Sequence, residues 1–391
     1  MIRLGPIQCK STPEGAHVDS APLEVKRPCA FPEEPCRMSR LEDLHLAENA
    51  RLTTPESPLP VLVHRSVPAE YEAATTSWAV FDRSTLGSLS ITGKDATSFL
   101  IRILAGPVRT LGVGQGGRNM LLTSKGKVQQ LFEMAAVEGG YLCTTPPGTT
   151  AALMAGLEMY LFGEDMKLDD LGSRWAHLEV VGPQASAQLR ALLDTDLPED
   201  DYTHTQIEWQ GQGITITHLP VAGSPGYRLA TSPENFAALW TAIVSAGATP
   251  AGLAAFDSLR GENLWAQWGV DIDDTIYPQE ANLQDAFSLT KGCYIGQEVV
   301  AKIDTYGGLN KRILLLKAPD SPVAAGTRLM RQTAGPDSEW RDLGVVTTWT
   351  YSFAADHGVV LAYVKRKHQA QGTEFRLGDG PDTATILTPE E

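Results

Sequence analysis

Hydrophobic positions recur along the chain with two different periods, which predicts a mixture of helices and strands. Apolar side chains fall at helical spacing in residues 68–79 and 96–104. Between these segments, residues 88–92 alternate with a period of two, as strands do. Gly106 and Pro107 then stop the second helix. The pattern therefore predicts a helix, a strand and a second helix before residue 108.

The middle of the chain shows both periods in turn. Residues 119–145 are predicted to be sheet, with a hairpin turn at residues 138–140. The further predicted strands are 176–181, 213–219 and 227–230, and the further predicted helices are 151–162, 183–193 and 236–244. Helices and strands mixed in this way indicate an α+β fold with antiparallel sheet.

After Gly308 the pattern changes to short alternating strands that glycine and proline separate at regular intervals. This texture is typical of a small β-barrel or sandwich. The predicted strands are 312–316, 344–348, 359–364, 374–377 and 384–387.

The N-terminal segment differs from the rest of the chain. Residues 1–37 hold six prolines and no apolar periodicity, so they cannot bury enough surface to offset the entropy of ordering. Two explanations are open: a disordered tail, or a start codon chosen too early, with Met38 as the true first residue. The globular pattern begins near Leu59, and residues 1–58 are therefore predicted to be an N-terminal extension.

Composition and charge narrow the function. The 391 residues are 42% hydrophobic and 20% charged, as in soluble globular proteins, and their number predicts two or three domains. A net charge of −15 argues against nucleic-acid and anionic-membrane partners. Because no apolar run reaches the roughly 18 residues of a membrane helix, and no signal peptide is visible, a cytoplasmic location is expected.

Cysteines and histidines form no local site pattern. The chain has five cysteines without a C-x-x-C pair, which in a reducing compartment indicates free thiols, and three of them lie in the N-terminal extension. The eight histidines include no H-x-H or H-x-x-x-H pair, so no metal site is predicted.

The most informative segment is residues 291–298, which read KGCYIGQE. Two glycines bracket a Cys-Tyr pair and allow a tight backbone bend. If the segment is extended, Lys291 and Cys293 project to one face, and the ammonium favours the reactive thiolate. Glu298 has two candidate roles, to orient Lys291 or to accept a hydrogen bond from a ligand amine. The alternative is that Cys293 is a small buried residue of a glycine-rich turn.

This segment matches the signature K-G-C-Y-x-G-Q-E of YgfZ-type folate-binding proteins at every fixed position. Residues 255–262 resemble the A-x-D-x-L-R-x-E helix of the same family, and residues 91–96 and 181–183 are similar to further family landmarks. Over residues 59–388 the chain thus resembles the YgfZ/GcvT family.

The resemblance implies a three-subdomain ring around a central hole that holds reduced folate. One subdomain would combine residues 59–118 with 247–307, a second would be residues 119–246, and the third would be a C-terminal β-barrel of residues 308–391. The implied cofactor is tetrahydrofolate or a derivative. The implied partners are iron–sulfur client enzymes or assembly factors, and the protein is expected to be a monomer.

Two departures separate the chain from the aminomethyltransferases of this family. Those enzymes carry an Asn-Asp pair after the helix that ends near Leu104, and the Asp assists one-carbon transfer. Residues 105–108 read Ala-Gly-Pro-Val here, so Pro107 leaves the acid–base role vacant. Residues 223–227 read Gly-Ser-Pro-Gly-Tyr, without the Glu of the transferase element. The favoured function is a folate-binding accessory protein for iron–sulfur enzymes; the alternatives are a one-carbon transferase and a scaffold without folate.

Candidate site residues follow from the resemblance and from side-chain chemistry. Cys293 is the predicted functional thiol, with Lys291 beside it. Arg260 suits a carboxylate of the folate tail, and Trp265 or Tyr227 suits a ring face. For Arg260 the alternative is an ion pair on its own helix, and for Trp265 it is a core position. The full predicted cofactor-binding set is Tyr227, Asp257, Arg260, Glu262, Trp265, Gly292, Tyr294, Gly296, Gln297 and Glu298.

Overall fold

Two larger β-sheets, a closed β-barrel and a two-stranded ribbon organise the chain. The computed structural model describes residues 41–54, 57–172, 174–332 and 339–387. All of these residues lie in the structural unit formed by residues 32–391. This mixed architecture confirms the predicted α+β class.

Eight α-helices lie in the described part of the chain. They are α1 Glu42–Ala47, α2 Val67–Thr76, α3 Ala96–Ile103, α4 Thr150–Glu158, α5 Ala185–Leu193, α6 Pro233–Ser245, α7 Leu253–Glu262 and α8 Gln297–Tyr306. Proline occupies the first turn of α2 and of α6, where no backbone N–H is needed for the helix. Short 3-10 helices occur at Pro278–Ala281, Gln284–Ala286 and Arg366–His368.

The six-stranded sheet has the order β10-β11-β12-β9-β3-β13. Its strands are β3 Ala79–Asp82, β9 Ala176–Val181, β10 His204–Trp209, β11 Gln212–Val221, β12 Ser224–Thr231 and β13 Thr249–Ala251. Only the β3–β13 pair is parallel. Leu178, Ile216 and Leu229 project from one face into the core beneath α5 and α6, where they meet Phe236 and Trp240.

The five-stranded sheet is antiparallel, with the order β5-β6-β7-β4-β8. Its strands are β4 Gly87–Thr92, β5 Gly116–Leu122, β6 Val128–Val137, β7 Gly140–Thr145 and β8 Lys167–Asp170. One face packs on α3 and α4 through Ile91, Phe99 and Leu153. The turn between β6 and β7 matches the predicted hairpin, and Gly139 adopts a φ of +78° there.

The C-terminal β-barrel is confirmed, with the closed order β14-β17-β16-β15-β18-β19. Its strands are β14 Lys311–Ala318, β15 Arg328–Gln332, β16 Trp340–Ser352, β17 His357–Lys365, β18 Glu374–Leu377 and β19 Thr383–Ile386. The sequence pattern missed β15, which alternates too little to stand out. Closure leaves this small domain without free sheet edges.

The strands of the two larger sheets alternate along the chain. The strand at 79–82 pairs with 176–181 and 249–251, whereas 87–92 pairs with 140–145. Sheet membership therefore changes between residues 82 and 87 and again between 170 and 176, and the subdomain bounds at residues 118 and 246 stay a prediction. Hydrophobic alternation marks a strand but not its partner, because pairing joins segments that are distant in sequence.

The described part of the predicted N-terminal extension is folded. Leu41 is 2% exposed and belongs to the core of the six-stranded sheet. The imidazole of His45 in α1 is fully buried, and β1 Arg51–Leu52 pairs with β2 Val61–Val63. These elements are too short to show a period in the sequence. Residues 1–40, including Cys9, Cys29 and Cys36, lie outside the described residues. No helix in the described ranges is both long and apolar enough to cross a membrane.

Candidate functional site

A cavity lies between the two larger sheets, on the faces opposite their helical layers. It encloses about 590 Å³, including space that opens to solvent. Its walls mix aliphatic and polar side chains from β6, β7, β9, β11 and β12, among them Glu133, Ala135, Thr144, His177, Thr217 and Arg228.

A guanidinium between two carboxylates forms the charged wall of this cavity. Arg228 on β12 donates to Glu179 on β9, with a shortest distance of 2.5 Å, and to Glu133 on β6. Arg83 also pairs with Glu179, at 3.0 Å. Burial alone would lower the pKa of Arg228, but Glu133 and Glu179 raise it above its usual value. Arg228 is therefore a fixed cation that links the two sheets.

Three polar atoms of residues in this wall have no hydrogen-bond partner among the residues that the structure describes. They are the hydroxyl of Tyr202, Nδ1 of His177 and Nδ1 of His204, and all three residues line the cavity. Burial raises the pKa of Tyr202 and lowers that of His204, and it lowers the pKa of His177 to about 3. Buried polar atoms are nearly always hydrogen-bonded. The residues that line this wall therefore carry unpartnered polar groups that burial keeps neutral.

The 291–298 segment packs against the loop that follows α3. Lys291 Nζ donates to the carbonyl oxygens of Leu104 and Gly106, at 2.5 and 2.7 Å. Burial lowers the pKa of Lys291 to about 8. The amide of Gly106 donates to Asn119 Oδ1 at 2.8 Å. Lys291 thus holds the carbonyl group of Gly106, and Asn119 holds its amide group, directly before Pro107.

Cys293 is exposed, so the alternative of a buried structural thiol is wrong. In the described part of the chain, no hydrogen bond or ion pair joins Lys291 to Cys293 or to Glu298. The predicted assistance of Cys293 by Lys291 is therefore absent from this structure, because the Lys291 ammonium is directed to backbone carbonyls. Glu298 instead pairs with Lys302 at 2.6 Å, one turn further along α8.

The remaining residues of this segment shape the turn. Gly292 and Gly296 adopt φ values of +103° and +78°, and α8 begins at Gln297, after Gly296. The ring of Tyr294 is buried in the core between the five-stranded sheet and the barrel, and burial raises its pKa to about 12. None of residues 291–298 lines the cavity between the sheets.

Arg260 takes the structural alternative that its helix spacing suggested. Its guanidinium, 1% exposed, donates to Asp257 at 2.5 Å, to Asp271 at 2.7 Å and to Thr348 of the barrel at 2.9 Å. Glu262 accepts hydrogen bonds from Tyr71 and from Ser352 of the barrel, both at 2.7 Å. These side chains fasten α7 to the barrel.

The two aromatic residues predicted to cover a folate ring, Trp265 and Tyr227, contact other side chains of the protein instead. The Arg118 guanidinium lies 4.5 Å from the centre of the Trp265 ring, and it pairs with Asp285 at 3.1 Å. Tyr227 is buried in the core beneath α5 and α6, with its ring 5.2 Å from that of His218. It therefore lies on the face of the sheet opposite to the cavity.

Sequence reasoning missed the cavity residues Glu133, His177 and Arg228, and Glu179, which pairs with Arg228. A signal was present, because each is a charged or titratable residue inside a predicted strand that also holds apolar residues. Such residues require partners when buried. The strand pairing that brings them together could not be obtained from one sequence.

Comparisons with known proteins agree with this architecture. The family model described as the GCVT N-terminal domain matches residues 14–291, more than half of the chain. An aminomethyltransferase of Geobacillus kaustophilus is 29% identical over 320 residues, which cover 80% of this chain and 86% of that protein. A putative chloroplastic transferase of Arabidopsis thaliana is 24% identical over 304 residues, which cover 77% of this chain and 68% of that protein.

Among solved structures, the glycine cleavage system aminomethyltransferase T from Bartonella henselae superposes with a TM-score of 0.77. The match has 23% sequence identity and covers 89% of this chain and 95% of that one. It shows that the two chains share a fold.

Proposed function

Because the chain belongs to the family of the GCVT N-terminal domain, we propose that it binds a reduced folate, tetrahydrofolate or a derivative, in the cavity between its two sheets. The observation that carries the proposal is the set of unpartnered polar atoms on Tyr202, His177 and His204 beside the Arg228 ion pair. A pterin presents N–H and C=O edges on a flat ring. A wall that offers a hydroxyl, two imidazoles and carboxylates fits such a ligand.

The finer proposal is an accessory role for iron–sulfur enzymes, with Cys293 as the functional thiol. Two observations support it. Position 107 is proline, so the carboxylate expected of a one-carbon transferase is missing there. Cys293 is exposed next to two glycines, where a partner protein can reach it. The predicted clients, the monomeric state and the cytoplasmic location remain predictions.

One-carbon transfer is the second candidate, favoured by the relatives that carry the name aminomethyltransferase. A carboxylate is available in the cavity at Glu133, but it is paired with Arg228. The candidate requires purified protein to form methylenetetrahydrofolate from tetrahydrofolate and an aminomethyl thioether, with release of ammonia and of the carrier thiol. Formation with wild-type protein and its loss in Glu133→Gln would establish transfer and replace the accessory role.

Calorimetry with tetrahydrofolate under anaerobic conditions tests the folate site. Tyr202→Phe should weaken binding about threefold to tenfold, since one hydrogen bond is worth about 0.5–1.5 kcal/mol. The unfolding free energy should not fall, because the protein does not use this hydroxyl. The measurement is the dissociation constant beside a denaturant curve.

Tyr294→Phe is the matched control. Its hydroxyl is likewise buried without a partner, but the residue lies outside the cavity. Unchanged affinity in this variant is expected. Loss of affinity in Tyr294→Phe alone would move the folate to the 291–298 segment. Absence of binding by well-folded wild-type protein would leave the scaffold without folate as the better function.

The thiol is tested in a deletion strain by the activity of iron–sulfur enzymes. Cys293→Ala should abolish rescue without changing stability, because the side chain is exposed. Lys94→Ala is the control, since that side chain is 74% exposed and lies outside the 291–298 segment and the cavity. Full rescue by Cys293→Ala would remove this thiol from the mechanism.

A further inference from the structure

A second cluster of polar side chains lies where α1 and β2 meet the six-stranded sheet. His45 and His64 are buried, with exposures of 0% and 6%, and Glu48 beside them is half-buried. One nitrogen from each imidazole and one oxygen of the carboxylate all lie within 4.8 Å of one another. These residues come from two segments, separated by the β1–β2 ribbon.

A carboxylate behind His45 fixes which nitrogen faces the cluster. His45 Nε2 lies 2.9 Å from Asp82 Oδ2. A carboxylate only accepts hydrogen bonds, so Nε2 carries the proton and Nδ1 keeps its lone pair. This Nδ1 is buried without a hydrogen-bond partner. Histidines that ligate metals usually donate their other ring nitrogen to a carboxylate in this manner.

His64 is positioned from its backbone and leaves its whole ring edge unused. Its amide donates to Glu70 Oε1 at 2.8 Å, and its ring stacks on Trp240 with 5.8 Å between centroids. Both ring nitrogens are buried and form no hydrogen bond within the described ranges of the chain. Glu48 Oε2 lies 3.7 Å from His64 Nδ1, which is too far for a hydrogen bond.

We propose that His45, Glu48 and His64 bind a divalent first-row transition-metal ion. Two imidazoles and a carboxylate suit Zn²⁺ or Fe²⁺. Ligand bonds of about 2.0–2.2 Å place donor atoms of one ion roughly 3.3–3.5 Å apart, close to the 3.7 Å between Glu48 and His64. The other separations are at most 4.8 Å and must shorten when an ion binds; Glu48, whose side chain is 35% exposed, has the most room to move.

Such an ion would fasten α1 to the segment that follows β2, next to the six-stranded sheet. His45 lies in α1 and Glu48 directly follows it, whereas His64 follows β2. Asp82, which accepts from His45, lies at the end of β3. Three protein ligands leave at least one coordination position for water or an exogenous ligand.

Metal titration of the whole chain tests the proposal. Protein freed of metal with a chelator is titrated with Co²⁺ and Zn²⁺. The expected result is one equivalent whose Co²⁺ absorption lacks a thiolate charge-transfer band, which excludes the cysteines as ligands. Zn²⁺ should also raise the melting temperature.

Glu48→Gln and His64→Gln should each weaken binding at least about tenfold. Because Glu48 is half-buried, Glu48→Gln should fold even if His64→Gln does not. Circular dichroism checks the folding of both variants. His218→Gln is the control, because His218 faces one carboxylate, Asp201, at 3.3 Å and should not affect binding. Absence of a stoichiometric equivalent in wild-type protein, wild-type affinity in folded Glu48→Gln, or a thiolate band would overturn the site.

Discussion

Two buried arginines each lie between two carboxylates, but one belongs to a saturated hydrogen-bond network and the other lines a cavity. Arg260 lies between Asp257 and Asp271 where α7 meets the barrel, and Arg228 lies between Glu133 and Glu179 where the two sheets meet. Their side chains are 2% and 7% exposed. Charge and burial alone would therefore rank them equally as candidate ligand-binding residues.

Their neighbours distinguish them. Around Arg260 every partner is used: Asp271 also accepts from Thr347 and Thr348, at 2.5 and 2.8 Å. Around Arg228 the walls open into a cavity, and the Tyr202 hydroxyl has no partner. A saturated network joins neighbouring elements, whereas unpartnered polar atoms in residues beside a cavity make that cavity the better candidate ligand site. The comparison explains why Arg260, the better candidate from sequence, is the worse one in the structure.

Arg260→Met should give the largest effect on stability. Removal of the guanidinium leaves the fully buried Asp271 without its counter-charge, and breaking a buried pair costs about 3–5 kcal/mol. Affinity of the folded variant for tetrahydrofolate should not change. Denaturant unfolding and calorimetry measure the two quantities. Arg190→Met removes an exposed pair with Glu199 and should cost less than about 1 kcal/mol.

The opposite result would reverse the comparison. If Arg260→Met folds stably and loses folate affinity, the α7–barrel junction holds the ligand after all, as the resemblance implied. The cavity would then need another occupant.

Arg228→Met should cost less stability, about 1–3 kcal/mol. Glu179 keeps Arg83 as a partner, and Glu133, with 25% of its side chain exposed, can be hydrated. Folate affinity should fall together with stability, because the charged wall of the cavity loses its cation. The decisive measurement is the loss of folate affinity divided by the loss of unfolding free energy, compared between Arg228→Met and Arg260→Met. Equal ratios would show that both clusters are purely structural.

The sequence predicted what depends on near neighbours. Helical spacing identified α3 and α6, alternation identified most barrel strands, and the Asp257–Arg260 pair was anticipated as an i, i+3 contact. The glycines of the 291–298 segment correctly indicated a tight turn. Each of these features is encoded within a few residues.

What escaped prediction depends on contacts between distant segments. Glu133 and Arg228 are 95 positions apart and belong to different sheets. Lys291 binds carbonyls 185 and 187 positions away, and carbonyl acceptors leave no mark in a sequence. His45 and His64 come together although their spacing matches no metal motif. The candidate sites therefore became visible only with the fold.

Lys291 extends the comparison to a half-buried cation whose partners are neutral. Its pKa is lowered to about 8 by burial, against an ordinary value of about 10.4. Between these pH values the unfolded chain binds more protons than the folded one, so the unfolding free energy rises with pH. The neutral amine still has two N–H groups for the carbonyls of Leu104 and Gly106. Denaturant curves give the unfolding free energies of wild type and Lys291→Met. The value for wild type should rise relative to that of the variant between pH 8 and about 10.4.

This is the smallest expected effect, since partial exposure of Lys291 keeps the slope below the one-proton limit of about 1.4 kcal/mol per pH unit. Lys302→Met, on the exposed face of α8, is the control and should run parallel to wild type. If Lys291→Met also runs parallel, its ammonium is not destabilised by burial. The two carbonyls would then compensate the charge as fully as the carboxylates do for Arg260, and neutral and charged partners would be equivalent at this depth.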